Sequence, residues 1–369
     1  MTTHSAFPAR PTGAAAPPAF EPMLDDIRRQ PAVLAQLLDR APEIAAFAAA
    51  HLSLPPGGRL HAFGSGDGWF AARAAFHGLN AQAVSGLDFL LNVAPRLGAA
   101  DSAIAISMSG NVDRTLEGAR AVMAAGATLS VLTNGAGGRL GALGGPRFSL
   151  DIPDIAPFLC GTTSFTATLA ALGLLAGRDA DPLRAALPAL PAFIEEADRT
   201  CRELVEAAGT GAPGIRFLGV GQSVALADYG AAKCVEVTTV PAWSDDIEEF
   251  AHRQYWSMVR SEIVVLLPVD AASGGYADAT ADALARLGTP TLSIGPAEAD
   301  AGKSAHRIST PGAPSLAWLG QAVALQLLAY RLGLANGTDP NRRLHLKNDA
   351  ERFAVSRRLT RLSLLGTGE

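Results

Sequence analysis

The chain has 369 residues, 49% hydrophobic and only 18% charged, with 38 glycines and a formal net charge of −5. That balance suits a buried-sheet α/β protein of roughly two domains, and the lack of a basic stripe argues against nucleic acid as a partner. No run of about 18 apolar residues is free of charges and turn signals, so no membrane span is expected.

In chain order, residues 1–22 are rich in Ala and Pro without a continuous apolar core; they read as a disordered leader and not a signal peptide. Helical periodicity begins at Met23, runs through Ile27, Leu37, Leu38 and Ile44 to about Leu52, and breaks at Pro55-Pro56-Gly57-Gly58. Strands and helices then alternate. Strands are expected at Arg59–Phe63, Ser102–Ile106, Thr128–Leu132 and, at an edge, Phe148–Ile152, with helices at Trp69–Leu79 and Thr115–Ala125 and helix-rich sequence from Ser164 to Glu206. Parallel strands need helical crossovers, so this order predicts a doubly wound parallel sheet.

The alternation then restarts. Ile215 to Ser223 mirrors Leu60 to Gly68, Ile263 to Pro268 mirrors the strand before Ser107, and Thr289 to Ile294 mirrors Thr128 to Leu132. Two tandem copies of one flavodoxin-like α/β unit account for this economically. The expected division is a leader (1–22), an N-terminal helical segment (23–55), a first domain (56–196), a second domain (197–340) and a C-terminal loop and tail (341–369). Cys160, Cys201 and Cys234 are odd in number and widely spaced, which fits reduced cytoplasmic residues better than disulfides or a metal site.

Three groups of residues carry chemistry. The strand ending at Ile106 runs into Ser107-Met108-Ser109-Gly110-Asn111 and then a helix; such a turn offers backbone N–H groups and hydroxyls to an anion or to sugar hydroxyls, although a capped helix without a ligand looks the same. The turn Gly64-Ser65-Gly66-Asp67-Gly68 follows a strand, with Asp88 about 20 residues on, as a dinucleotide fold would have it. Its third glycine is mis-spaced and Asp67 would face the pyrophosphate, so no cofactor is expected and no metal. In the second copy, Lys233, Glu236, Glu248, Glu249 and His252 lie close in sequence, which suggests one composite site with binding groups from the first copy and chemistry mainly from the second.

These residues together resemble tandem sugar isomerase (SIS) proteins, related to the isomerase half of glucosamine-6-phosphate synthase and to bacterial phosphosugar isomerases, deaminases and deglycases. The resemblance rests on Met23 to Pro31, on Ile106 to Leu116, on Ser164-Phe165-Thr166, and on Leu325 to Tyr330 followed by Gly337-Thr338-Asp339-Pro340 and Leu346-Lys347. It implies catalytic roles for Glu236 (proton transfer), His252 (ring opening, entering from the neighbouring subunit) and Lys347, with Lys233 supporting Glu236 one turn away. It implies substrate contacts from Gly64, Ser65, Gly66, Asp67, Ser107, Ser109, Asn111 and Thr162, and a homodimer with shared sites; the apolar stretch from Leu325 to Leu334 is a second ground for the dimer. Taken singly, Lys233 and Glu236 also fit a helix ion pair, His252 a surface histidine and Lys347 a solvated one.

Several positions depart from the family pattern. Asp67 stands where a hydroxyl is usual, Met108 where a polar residue lies between the serines, Val112 where threonine starts the helix, and Thr163 and Gly161 where lysine and a small hydroxyl residue are frequent. A carboxylate at Asp67 would repel a phosphate dianion. The reading is an enzyme acting by enolisation on a sugar derivative, phosphorylated or not: an aldose–ketose isomerase, or an amino-sugar deaminase or deglycase. With no glutaminase domain ahead of the tandem, synthesis from glutamine is not expected. A catalytically silent carbohydrate-binding regulator is the alternative.

Overall fold

The computed structural model describes residues 21–157, 159–209, 211–299, 302–360 and 363. The expected leader lies outside them except for Glu21 and Pro22, and Pro22 already opens the first helix. That helix, α1 (Pro22–Arg28), is followed by α2 (Gln30–Asp39) and α3 (Ala41–His51), so the single N-terminal periodicity is three short helices.

The first sheet uses β1 (Leu60–Gly64), β2 (Ala81–Ser85), β3 (Ser102–Ile106), β4 (Thr128–Thr133) and β5 (Arg147–Ser149), all parallel, in the order β2-β1-β3-β4-β5. Its helices are α4 (Asp67–Ala75), α5 (Gly86–Asp88), α6 (Asp113–Ala124), α7 (Gly138–Gly141) and α8 (Thr163–Leu175). After α9 (Asp181–Ala186) and α10 (Leu190–Ala208), the second sheet is built from β6 (Ile215–Gly219), β7 (Ala242–Asp246), β8 (Ile263–Leu267), β9 (Thr291–Gly295) and β10 (His306–Ser309). Its order, β7-β6-β8-β9-β10, repeats that of the first. Between its strands run α11 (Ser223–Thr238), α12 (Glu249–Arg253) and α13 (Ala271–Ala285); α14 (Ala317–Ala335) and α15 (Ala350–Thr360) follow. Among the described residues, no helix is long and apolar enough to cross a membrane.

The central strands β3, β6, β8 and β9 are buried along their whole length, which is why they are mainly apolar, with Arg216 of β6 buried in a pair with Glu262. The strands that periodicity misses, β2, β7 and β10, sit at sheet edges with mixed burial and polar content. One core spans both halves, and α14 lies within it. Leu325, Leu327, Leu328 and Leu332 are all buried inside this chain. The apolar stretch from Leu325 to Leu332 is therefore core and gives no ground for a dimer, although Leu334 just beyond it is exposed. Cys160, Cys201 and Cys234 are free and buried.

Candidate active site

In each sheet the strand order reverses beside the first strand of the repeat, between β1 and β3 in the first and between β6 and β8 in the second. Ligands of open α/β sheets bind in the crevice outside the carboxyl ends of strands at such a point. Gly64 pairs with Ile106 at the end of β1 and β3, so the Gly64–Gly68 and Ser107–Asn111 turns emerge side by side. Gly64 and Gly68 permit this closeness, since a Cβ on either would come within 3 Å of Ile106. Gly66 takes φ +55°, a conformation that suits glycine.

α11 crosses from the second half and delivers two charged side chains to this turn. Lys233 Nζ donates to Asp67 Oδ2 at 3.0 Å and to Glu236 Oε2 at 2.6 Å. Lys233 is 3% exposed, so its charge is held in place by two carboxylates. Burial is the strongest single influence and pulls the Lys233 ammonium down, but the raising influences together, the Asp67 carboxylate first among them, exceed it and the net shift is upward. The other Glu236 oxygen is paired with Arg343, from the segment after α14. Arg343 sits at φ +50°, a left-handed conformation that a non-glycine residue adopts only at some cost. Its guanidinium is shifted downward by burial. His345 Nε2 lies 3.2 Å from the Glu236 carbonyl oxygen, and burial, with Arg343 beside it, lowers the imidazole, so that the ring is neutral near pH 7.

Asp67, Lys233, Glu236 and Arg343 thus form one cluster with no net charge. Asp67 is drawn in because Gly161, just before α8, has no side chain: a Cβ there would lie 2.4 Å from Asp67 Oδ2. Tyr229 donates to the Gly161 carbonyl at 2.8 Å and stacks on Phe165, which fixes this strip of backbone.

The other expected residues fall into three groups. Ser107 is buried and accepts from the Gly110 N–H at 3.2 Å. Ser109 and Asn111 are exposed but largely turned on themselves: Asn111 Nδ2 donates to the Ser109 carbonyl at 2.9 Å, its Oδ1 accepts from Arg139 N–H at 3.2 Å, and Ser109 Oγ accepts from the Asn111 N–H at 3.3 Å. Thr162 turns its hydroxyl toward the N-terminal helices. It is fully buried and its hydroxyl goes to Asp26 of α1, which also accepts from Thr163 N–H at 2.9 Å, so Thr162 anchors the N-terminal helices. Gln30 joins the same seam, donating to Gln326 of α14 at 2.7 Å. His252 (on α12) and Lys347 (after Arg343) are exposed, and among the described residues no hydrogen bond or ion pair joins His252 to the cluster.

Arg343, His345 and Asp26 were not expected. Arg343 lies four residues before Lys347 in a loop without periodicity, and nothing in the sequence couples it to Glu236. Among the described residues, no group of three or more His, Cys, Asp or Glu side chains could hold a metal. Trp243 covers the Arg216 guanidinium at 4.6 Å, above the buried Arg216–Glu262 pair, and so packs the second sheet. Trp256, by contrast, is 89% exposed.

No family model and no curated protein matches the sequence. Solved structures do. Tagatose-6-phosphate ketose/aldose isomerase from Escherichia coli aligns with a TM-score of 0.73 and 21% identity, over 90% of this chain and 97% of that one. The C-terminal domain of glucosamine-fructose-6-phosphate aminotransferase from Francisella tularensis aligns with a TM-score of 0.69 and 15% identity, over 89% and 99%. Glucosamine-6-phosphate deaminase from Thermotoga maritima aligns with a TM-score of 0.65 and 16% identity, over 84% and 96%. The likeness is one of fold: two parallel five-stranded α/β units arranged as in these SIS-type phosphosugar isomerases and deaminases.

Proposed function

We propose that the chain is a sugar-derivative-processing enzyme that works by enolisation, with Glu236 as the proton-transfer base. The observation that carries this reading is the Glu236 carboxylate, held between Lys233 and Arg343 at the crevice where the Gly64–Gly68 turn emerges. A carboxylate so placed takes the proton from the carbon beside a sugar carbonyl, leaving an enediolate, and returns it to the neighbouring carbon, while the hydroxyl proton of the first carbon passes to the former carbonyl oxygen. The two cations keep the base ionised and aimed, and lie where negative charge develops on the enediolate oxygen. Asp67 presents a second carboxylate to sugar hydroxyls or to an ammonium group. Lys347 is assigned to the carbonyl, and His252 to ring opening from a second copy of the chain. Trp256, four residues beyond His252 and bare, together with exposed Val259, marks the face on which that copy docks.

The cluster's charges already cancel, so no spare cation within it awaits a phosphate. We therefore favour a neutral or amino-substituted sugar over a simple hexose 6-phosphate. A second reading, a non-catalytic carbohydrate-binding regulator, is favoured by one observation: both Glu236 oxygens are occupied by cations. Exchange in deuterated water separates the two. Aldoses, ketoses and their amino and glycated derivatives are incubated with the protein and followed by NMR. Deuterium at the carbon beside the carbonyl, absent with Glu236→Gln, supports the enzyme; saturable binding without exchange supports the regulator.

A further inference from the structure

The internal repeat leaves a second cavity at the opposite end of the helices that build the first cluster. Gly221 takes φ +56° where Gly66 takes +55°, and Gln222 stands where Asp67 stands. α14 begins two residues after Ser315, as α8 begins two residues after Gly161. Asp67 and Gly161 lie against each other in the first half; Gln222 and Ser315 together line a cavity of about 270 Å³ in the second. α4 links the two, with Asp67 at its start and Ala74 and Ala75 on the cavity wall. The cavity is away from the Glu236 cluster and contains none of its residues.

The ionic machinery has no counterpart here. The helix that crosses over, α4, brings Ala74 and Ala75 to the cavity, and the walls are apolar, with Leu169, Leu316 and Trp318 among them. One polar side chain is nonetheless left unsatisfied. Arg178 donates through Nη2 to the Ala75 carbonyl at 3.1 Å, while its Nε is buried with no partner. Nε itself lies beneath the cavity surface, but the guanidinium that lines the cavity has no carboxylate partner among the described residues, and a cation set in an apolar wall favours an anion. The Gln222 amide and the Ser315 hydroxyl also make no side-chain hydrogen bond among the described residues. Asp179, at the same wall, accepts from the Asp181 N–H at 3.0 Å.

We propose that this cavity is a second ligand site, and that it takes a small carboxylate bearing an apolar group. The carboxylate faces Arg178, Gln222 and Ser315, and the apolar part lies against Leu169, Leu316 and Trp318. A bare sugar is a poor fit, because its hydroxyls would be stripped of water against walls that offer few partners.

Benzoate and benzamide, equal in shape and different in charge, are the probes, titrated into the full-length protein by calorimetry and saturation-transfer NMR. Wild type is expected to bind benzoate at least about tenfold more tightly than benzamide, because a charge-assisted pair is the stronger one. Arg178→Leu is expected to abolish that preference. Ala74→Leu, which fills the cavity, is expected to weaken both probes about tenfold. Glu236→Gln is expected to change neither, which keeps this result apart from that of the proposed activity. Circular dichroism checks each variant, and Gln222→Leu reads the same wall should Arg178→Leu fail to fold. No benzoate binding to wild type, equal affinity for the two probes, or binding that survives Ala74→Leu would overturn the proposal.

Discussion

The two halves of this molecule end their first strands in the same turn and put it to different use. In the first half the turn carries Asp67, faces Lys233 and Glu236 from the opposite half, and is closed by Arg343. In the second half the turn carries Gln222, which shares a cavity wall with Ala74 and Ala75, and the His77 ring lies against Gly221. Strand order, the positive-φ glycine and the following helix are alike. The fold therefore supplies two crevices, and a handful of ionisable side chains decides which of them holds a charged cluster. Those side chains come as a set. A lysine as buried as Lys233 stays charged only because two carboxylates neutralise it, so losing one member alters the others.

The comparison breaks most sharply at Glu236. Glu236→Gln keeps the shape and removes the base, and is expected to lower turnover by at least about a hundredfold while sugar binding changes little. Full activity in that variant on an authentic substrate would remove the distinction between the halves. Lys233→Met tests the set rather than the base. It is expected to cost about 2 kcal/mol, below the ~3–5 kcal/mol of a fully buried pair, because Asp67 and Glu236 each keep part of the side chain in water. Its pH dependence follows from the sign of the shift. Lys233 is raised in the folded state, so its contribution is complete below the ordinary lysine range and is lost as pH rises through the higher folded value. Denaturant melts of wild type and Lys233→Met are expected to differ at pH 8 and to converge above about pH 10.5; a gap that widens with pH would contradict the assignment.

Phosphate preference is the next smaller effect. With Asp67 and Glu236 set against Lys233 and Arg343, the cluster offers a dianion no unmatched charge. Asn111 is committed to the Ser109 carbonyl and to Arg139 N–H. Each charge-assisted hydrogen bond not formed is worth about 1.5–3 kcal/mol. Paired calorimetry is expected to give the unphosphorylated or amino-substituted sugar at least about a tenfold advantage over its 6-phosphate. A clear preference for the ester, undiminished in Asp67→Ser, would mean that backbone N–H groups of the Ser107–Asn111 turn suffice.

The legible part of this molecule is the part governed by local rules. The buried runs of β1, β3, β4, β6, β8 and β9 and the repeat that relates them are readable, because strands covered on both faces must be mainly apolar. Edge strands β2, β7 and β10 obey no such demand: Trp243-Ser244-Asp245-Asp246 does not read as a strand, and only its pairing with β6 makes it one. The Lys233–Glu236 contact is readable from a spacing of three on one helix. Arg343 is not, because 107 residues separate it from Glu236 and its left-handed backbone leaves no pattern. Thr162 misleads for the same reason: the hydroxyl looks available until Asp26, 136 residues earlier, is seen to accept from it.

The last test sets the halves against each other at one pair of equivalent positions, and includes the smallest expected effect. Gly161 and Ser315 hold equivalent places, two residues ahead of α8 and α14. In the first half the missing side chain is what allows Asp67 to reach Lys233, for a Cβ at Gly161 would stand 2.4 Å from Asp67 Oδ2. Gly161→Ala must push the carboxylate away or shift the backbone that Tyr229 holds, and overpacking of this kind costs about 1–3 kcal/mol. Displacing Asp67 also leaves Lys233 with Glu236 alone, so sugar affinity is expected to fall along with stability. Ser315 is exposed, and trimming it to alanine removes no packing; Ser315→Ala is expected to stay within about 0.5 kcal/mol of wild type and to leave sugar affinity unchanged. Thermal melts and sugar titrations on the two variants read both quantities. If Gly161→Ala is as silent as Ser315→Ala, then Asp67 is not held by contact with that backbone, and the close approach of turn and helix is not what sets the first half apart.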